Sequence, residues 1–381
     1  MTQIRFRSSP DVELRQLGEL APEQRQAFAE LESDPDFYGL FVPRPPLAMN
    51  LKSVGRQTAE LFRALATPAP LDESLLHDEE IVDLVLDGIL EVEHGPHFVS
   101  GADAFSIVCP MWGGLQPASQ RAEARSTLLS REALLYAQDL EGADPQTLST
   151  ALYLFNRIPL TPFWKSRFSS AEAILAHLGA DRGSLRALLE REWTASAAGR
   201  GWIQWSSRTS SRRDWGDVTW KLYVSVRPER IRDAFEIVAR VLAGFPGVPF
   251  KIGDSASGLL RSDKLVTYFR TREELDAAAA ILGRELAGCE AQGVPFSAGL
   301  DESGLLSWGV DPPEDERVLR WLGRDSWRSW LVKRLGAALA IAKCARREDA
   351  VEPWRFAIER ARRHGIDVDT WTPSATLWSR A

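Results

Sequence analysis

From Val218 onward the chain reads as short strands separated by helices, and this alternation limits its fold more than any other feature. VTWKLYVSV, VPFKIG, KLVTYF, VPFSAGL and GLLSWGV are runs of strand length. Between them, RPERIRDAFEIVARVLAGF and TREELDAAAAILGRELAGC carry apolar residues at helical spacing. Short strands of antiparallel type with helices to one side predict an α+β arrangement, not a doubly wound one.

The first part of the chain has another pattern. Helical spacing over Glu23 to Leu31, Ser53 to Leu65 and Asp78 to Leu86 leads into GILEVEHGPHFVSG. That segment alternates, turns at His94-Gly95-Pro96 and alternates again, which predicts a β-hairpin. Helices followed by a hairpin predict a winged-helix-like unit over residues 1–125, read as a peptide-recognition element. Residues 126–200 read as helical, with Ser130 and Ser149 as N-caps. Residues 201–381 form the expected α+β domain, a small antiparallel or mixed sheet with flanking helices. The segment GRGWIQWSSRTSSRRDWGD (199–217) has the Gly, Ser and Arg content of a mobile basic loop or lid.

Charge is unevenly spread. The net charge of −7 combines 8 Lys/Arg against 18 Asp/Glu in residues 1–100 with 13 against 7 in residues 200–270. An acidic front end argues against nucleic acid, whose phosphates supply most of the affinity for basic proteins. A basic middle points to a local anionic ligand. Three scattered cysteines (Cys109, Cys289, Cys344) suit neither a disulfide framework nor a zinc site. His94 and His97 lack a third metal ligand. The first residues have no apolar signal-peptide core, and no later stretch reaches membrane-spanning length. The expectation is a bacterial, cytoplasmic protein with no cofactor, no metal and no membrane partner.

Side chains alternate along a strand, so Leu222, Val224 and Val226 share one face and Lys221, Tyr223 and Ser225 the other. By the same rule Lys264, Val266 and Tyr268 share a face. Lys251 sits in an otherwise apolar strand, and Arg261 in a Gly-rich loop. Each alone reads as a solvated surface residue. Together they are candidates for an anion pocket, with Arg208, Arg212 and Arg213 as second-tier cations. Asp301 and Asp311, near strand ends, are candidates to hold a lysine in place. Trp327 and Trp330, at helical spacing, read as core packing. No glycine-rich nucleotide loop and no Gly-x-Ser-x-Gly elbow is present.

The order of these elements resembles the phosphothreonine lyases secreted by bacterial pathogens and the lyase portions of class III and IV lanthipeptide synthetases. It is also similar to a related plant-pathogen effector family with relatives in peptide natural-product gene clusters. The resemblance covers about residues 218–300. It rests on Lys221-Leu222-Tyr223-Val224-Ser225 in place of Lys-x-His-x-Ser, on Phe250-Lys251, on Arg261 and on Thr267-Tyr268. It implies a phosphothreonine lyase-like fold with Lys221 as base and Lys251 and Arg261 around the phosphate; Lys264 and Tyr268, on the neighbouring strand, are second-tier candidates for the same phosphate. The lyases' acidic histidine is replaced by Tyr223, and no histidine lies between His177 and His364. Tyr223 then becomes the proton donor to the leaving oxygen.

The resulting expectation is an enzyme that eliminates phosphate from phospho-Ser/Thr in a ribosomal precursor peptide, leaving a dehydroamino acid. A separate kinase would supply the phosphate. Two alternatives stand beside it: a non-catalytic binding partner in a maturation complex, and an effector acting on a host phosphoprotein.

Overall fold

Lys221 to Val224 run up the interior of a seven-stranded sheet in the computed structural model, which describes residues 4–71, 78–109, 124–198, 201–208, 219–312 and 325–374. The chain is a mixed α+β protein with antiparallel sheets.

Its N-terminal part comprises β1 (Arg5–Ser8), β2 (Val12–Arg15), α1 (Pro22–Phe28), β3 (Phe37–Pro43), β4 (Lys52–Gly55), α2 (Arg56–Ala64), β5 (Ala69–Pro70), α3 (Glu79–Leu86), β6 (Leu90–His94) and β7 (His97–Val99). The hairpin forms, with His94 opposite His97. Asp78 caps α3 by accepting from the Glu80 amide at 2.9 Å. The helices and hairpin are set in two antiparallel sheets, ordered β5-β1-β6-β7 and β2-β3-β4, which makes the unit richer in strand than its sequence suggests. RFRS and VELR alternate charge with apolar residues, and their charges are used across the ladder. Arg7 lies directly opposite Glu91 and pairs with it.

Helices fill the middle: α4 (Phe105–Val108), α5 (Arg125–Asp139), α6 (Pro145–Leu154), α7 (Pro162–Arg167), α8 (Ala171–Leu178) and α9 (Gly183–Glu192). Ser130 and Ser149 are not caps. Both lie inside helices and donate to the carbonyl four residues back, while Asp144 caps α6 through the Thr147 amide. Ser130 Oγ also accepts from the Phe296 amide at 2.7 Å, tying α5 to the C-terminal half.

The main sheet then assembles from β8 (Trp193–Ala198), β9 (Trp202–Ser207), β10 (Trp220–Val224), β11 (Phe250–Gly253), β12 (Leu265–Phe269), β13 (Ala298–Gly299) and β14 (Leu306–Val310). Its order is β13-β14-β10-β12-β11-β9-β8, with antiparallel pairing throughout. It is therefore larger than the small sheet expected, and it starts ahead of residue 201. The expected basic loop is in part strand β9: Ile203 and Trp205 alternate into the core, and Trp205 stacks on Phe250 with ring centres 5.0 Å apart. Arg208 closes the strand by donating from Nε to the carbonyls of Glu190 and Trp193. Arg212 and Arg213 lie outside the described residues.

One face of the sheet carries the core. Leu222, Val224, Phe250, Ile252, Leu265 and Phe269 are fully buried against α10 (Ile231–Leu242), α11 (Ala256–Leu259) and α12 (Arg272–Glu285). The opposite face holds the polar residues of the same strands. Over part of it runs α13 (Trp327–Ala342), packed on α6 and α14 (Pro353–Arg363). Trp327 is core, with its indole N–H donated to the Trp371 carbonyl. Arg360 of α14 bridges Asp83 and Asp87 at 2.5 Å each, fastening the N-terminal unit to this body. Among the described residues no helix is long and apolar enough to cross a membrane.

Candidate functional site

The pleat and register bring the predicted residues together. In β10 and β12, Lys221 faces Tyr268 directly and Tyr223 faces Val266; across the next ladder Val266 faces Lys251, which in turn faces Gln204. Lys221, Tyr223, Lys251, Val266, Tyr268 and Gln204 thus occupy one face of four adjacent strands.

Aromatic rings link the cations. Lys251 Nζ lies 4.3 Å from the centre of the Trp202 ring and 5.5 Å from that of Tyr268. Lys221 Nζ lies 5.7 Å from the Tyr268 ring, and the Arg261 guanidinium 5.1 Å from the Trp202 ring. Three cations therefore share two aromatic faces, an arrangement that holds positive charge in a partly dry setting.

Carboxylates fix two of the three. Lys221 is ion-paired with Asp311, just past the end of β14. Arg261 gives Asp263 a two-point fork, Nε to Oδ1 and Nη2 to Oδ2, both at 2.8 Å, and Nη2 also reaches the Tyr153 hydroxyl at 2.9 Å. Asp263 also holds Arg328 of α13, whose Nε and Nη2 donate to the carbonyls of Pro295 and Tyr153. Burial on its own pushes the Asp263 carboxyl up, but the guanidinium groups of Arg328 and Arg261 overcome it and hold the group well below the usual carboxylate range. For Arg261, burial works against the charge, and Asp263 more than restores it. Among the described residues Lys251 has no carboxylate partner. Burial, then the charge of Lys221, pulls its amine down to about 8.

Two predicted residues are placed differently. Lys264 is fully buried, with its amine donating to the Val226 carbonyl at 2.8 Å and to Gln292 Oε1 at 2.6 Å. It is an internal strut rather than a phosphate ligand, because its amine is closed off from solvent. Burial lowers its amine to about 7. Tyr223 shares the face of the site but is packed among Val266, Val294, Trp202 and Tyr268. Burial pushes its hydroxyl well above the ordinary phenol range, which makes it a poor proton donor. Tyr268 is likewise pushed up by burial, and serves through its ring.

Tyr153, Asp263 and Arg328 escaped sequence reasoning. Asp263 gave a faint signal, two residues after Arg261. Arg328 gave none, since the helix around it reads as tryptophan-rich core. Asp311 does hold a lysine, whereas Asp301 binds the amides of Gly304, Leu305 and Leu306 and shapes a turn. A cavity of about 580 Å³ lies away from this face, between the β6–β7 hairpin and Arg347.

The face thus presents three cations, Lys221, Lys251 and Arg261, against two carboxylates, Asp263 and Asp311, with Arg328 buried beneath Asp263. Such a balance suits a dianion beside an amine base.

No family model matches the chain, and no curated protein matches it. Among solved structures it is similar to an effector protein from Pseudomonas syringae pv. tomato strain DC3000, at 14% identity over 65% of this chain and 97% of that one, with a TM-score of 0.39. An effector protein from Pseudomonas syringae pv. syringae strain 61 aligns at 11% identity over 67% and 100%, with a TM-score of 0.38. The type III effector and phosphothreonine lyase OspF from Shigella flexneri aligns at 12% identity over 42% and 86%, with a TM-score of 0.29.

Proposed function

We propose that this chain is a lyase that eliminates phosphate from phosphoserine or phosphothreonine in a peptide, leaving a dehydroamino acid. The observation that carries the reading is the convergence of Lys221, Lys251 and Arg261 around the rings of Trp202 and Tyr268, with more positive than negative charge. A phosphomonoester carries up to two negative charges near neutral pH. Elimination asks a site to neutralise that charge as it departs and to place a base at Cα. The face offers both, and two amines, Lys221 and Lys251, for the second task.

The substrate we assign is a ribosomal precursor peptide phosphorylated by a separate kinase, with the N-terminal unit as the element that recognises the peptide. The test is incubation of the purified protein with phosphopeptide and mass spectrometry of the product. Loss of phosphoric acid is expected. If the loss is absent, or survives Lys221→Ala unchanged, the assignment is wrong.

Tyr223, standing where a histidine acid would be and buried, favours a second reading: a face retained to bind phosphopeptide within a maturation complex. Tight binding of phosphopeptide without product separates that reading from the first.

A further inference from the structure

Among the described residues, the sheet that carries the site ends in an uncovered strand. β8 is its outermost member and reads Thr-Ala-Ser-Ala-Ala after Trp193. It has no charged residue and no proline, the devices by which proteins usually blunt an exposed edge. Thr194, Ala195 and Ser196 are exposed. The bond from the Arg208 amide to the Glu192 carbonyl sets the alternation of the β8–β9 ladder. Thr194 and Ser196 therefore exchange bonds with Ser206 and Gln204, and Ala195 turns its N–H and C=O outward. No backbone group of another described residue meets them there.

The register joins this edge to the site. Lys251 faces Gln204 on β9, and Gln204 faces Ser196 on β8, with Ser206 opposite Thr194 further along. Gln204, Ser206, Ser196 and Thr194 thus continue the face of Lys251 as a shelf of small hydroxyl and amide groups. Within it the Gln204 amide donates to Ser206 at 3.2 Å. α9, the helix leading into β8, packs with α10 and sends Leu185 and Leu189 into the core on the other face, so the shelf stays accessible.

We propose that the flank of the substrate peptide docks here, crossing the shelf from the phosphorylated residue and adding to β8 as a further strand. This rests on the lyase reading above and names a place where the peptide beyond its phosphorylated residue is held. The chemistry divides cleanly. Lys221, Lys251 and Arg261 answer the phosphate, whereas an uncharged edge answers main chain, which any peptide sequence supplies. Strands lie about 4.8 Å apart, so an added strand beyond β8 is about 14 Å from β11, or four to five extended residues at about 3.3 Å each. The paired stretch therefore begins about four or five residues from the phosphorylated one. A second copy of this chain could pair with the same edge, but the continuity of the shelf with the site favours the substrate.

The test uses the full chain and peptides in which a methylene replaces the bridging oxygen of phosphoserine, so that binding is read without elimination. A short peptide with about two residues on either side of the phosphonate is compared with versions extended by about eight residues towards each terminus. One extension should tighten binding by about tenfold, the size expected of a few net backbone hydrogen bonds. Ala195→Pro removes the outward donor at a position whose N–H the β9 ladder does not use. It should erase the gain and leave the short peptide unchanged. N-methylation of alternate amides in the extension gives the same reading with the protein unaltered: one parity should erase the gain and the other keep it. Equal binding of short and extended peptides, or a gain that survives Ala195→Pro or N-methylation at both parities, overturns the docking assignment. So does a dimer in sedimentation that Ala195→Pro dissociates, which gives the edge to a second copy. Elimination from the matching phosphopeptides is scored separately, and its absence overturns the lyase reading while leaving the docking result standing.

Discussion

Arg328 donates from Nη1 to Oδ2 of Asp263 at 2.7 Å, and the guanidinium in this pair is only 1% exposed. The same carboxylate holds Arg261 at the edge of the candidate site. A buried guanidinium of α13, the helix that covers part of the same sheet face, is thereby coupled to the position of a partly exposed cation.

Breaking that link should cost stability as well as binding. Asp263→Asn leaves a buried guanidinium facing a neutral amide, a change worth about 3–5 kcal/mol when one partner of a buried pair is removed. Urea denaturation measures it, and phosphopeptide affinity should fall with it as Arg261 loosens. A loss below about 1 kcal/mol, the usual value of an exposed pair, contradicts the burial described here.

Lys264 makes stability depend on pH in a defined direction. Its folded amine lies near 7, against an ordinary value of 10.5. Between those values the unfolded chain holds a proton that the folded chain has released, so stability from this group rises with pH across that window. The neutral amine still donates to Val226 and Gln292, so its bonds persist. Thermal midpoints at several pH values should show the rise, and Lys264→Met should remove it. An unchanged slope in the variant assigns the effect elsewhere.

Tyr223 provides a check on the acid. Loss of a working general acid costs about 10²–10⁴-fold in rate. Since the Tyr223 hydroxyl is buried and hard to ionise, Tyr223→Phe should lower the elimination rate by less than about tenfold. Single-turnover kinetics with phosphopeptide measures this, and a hundredfold loss returns the proton to Tyr223.

How much of this was readable in advance follows from what kind of signal each part leaves. β10, β11 and β12 are uniform alternating runs, so their faces, and with them Lys221, Lys251 and Tyr268, could be assigned from the pleat alone. β9 was hidden because Gly, Ser and Arg surround the alternation Trp202-Ile203-Gln204-Trp205. The N-terminal strands were hidden because RFRS and VELR span only four residues each, and their charges make sense only beside a partner such as Glu91. Lys264 was misjudged because alternation gives direction without depth. The Tyr153–Asp263–Arg328 cluster left almost no trace, since its members come from α6, the segment just before β12 and α13, which lie far apart in the sequence.

The identity of the product tests the central claim most directly. A phosphoserine peptide incubated with the protein and a small thiol has two possible fates. Elimination leaves dehydroalanine, which adds the thiol at its β-carbon, while hydrolysis leaves serine, which does not. The account predicts release of inorganic phosphate with the thiol adduct at the modified position, and loss of both in Lys221→Ala. Phosphate release that leaves unmodified serine, or an intact phosphopeptide after saturating exposure, would contradict it.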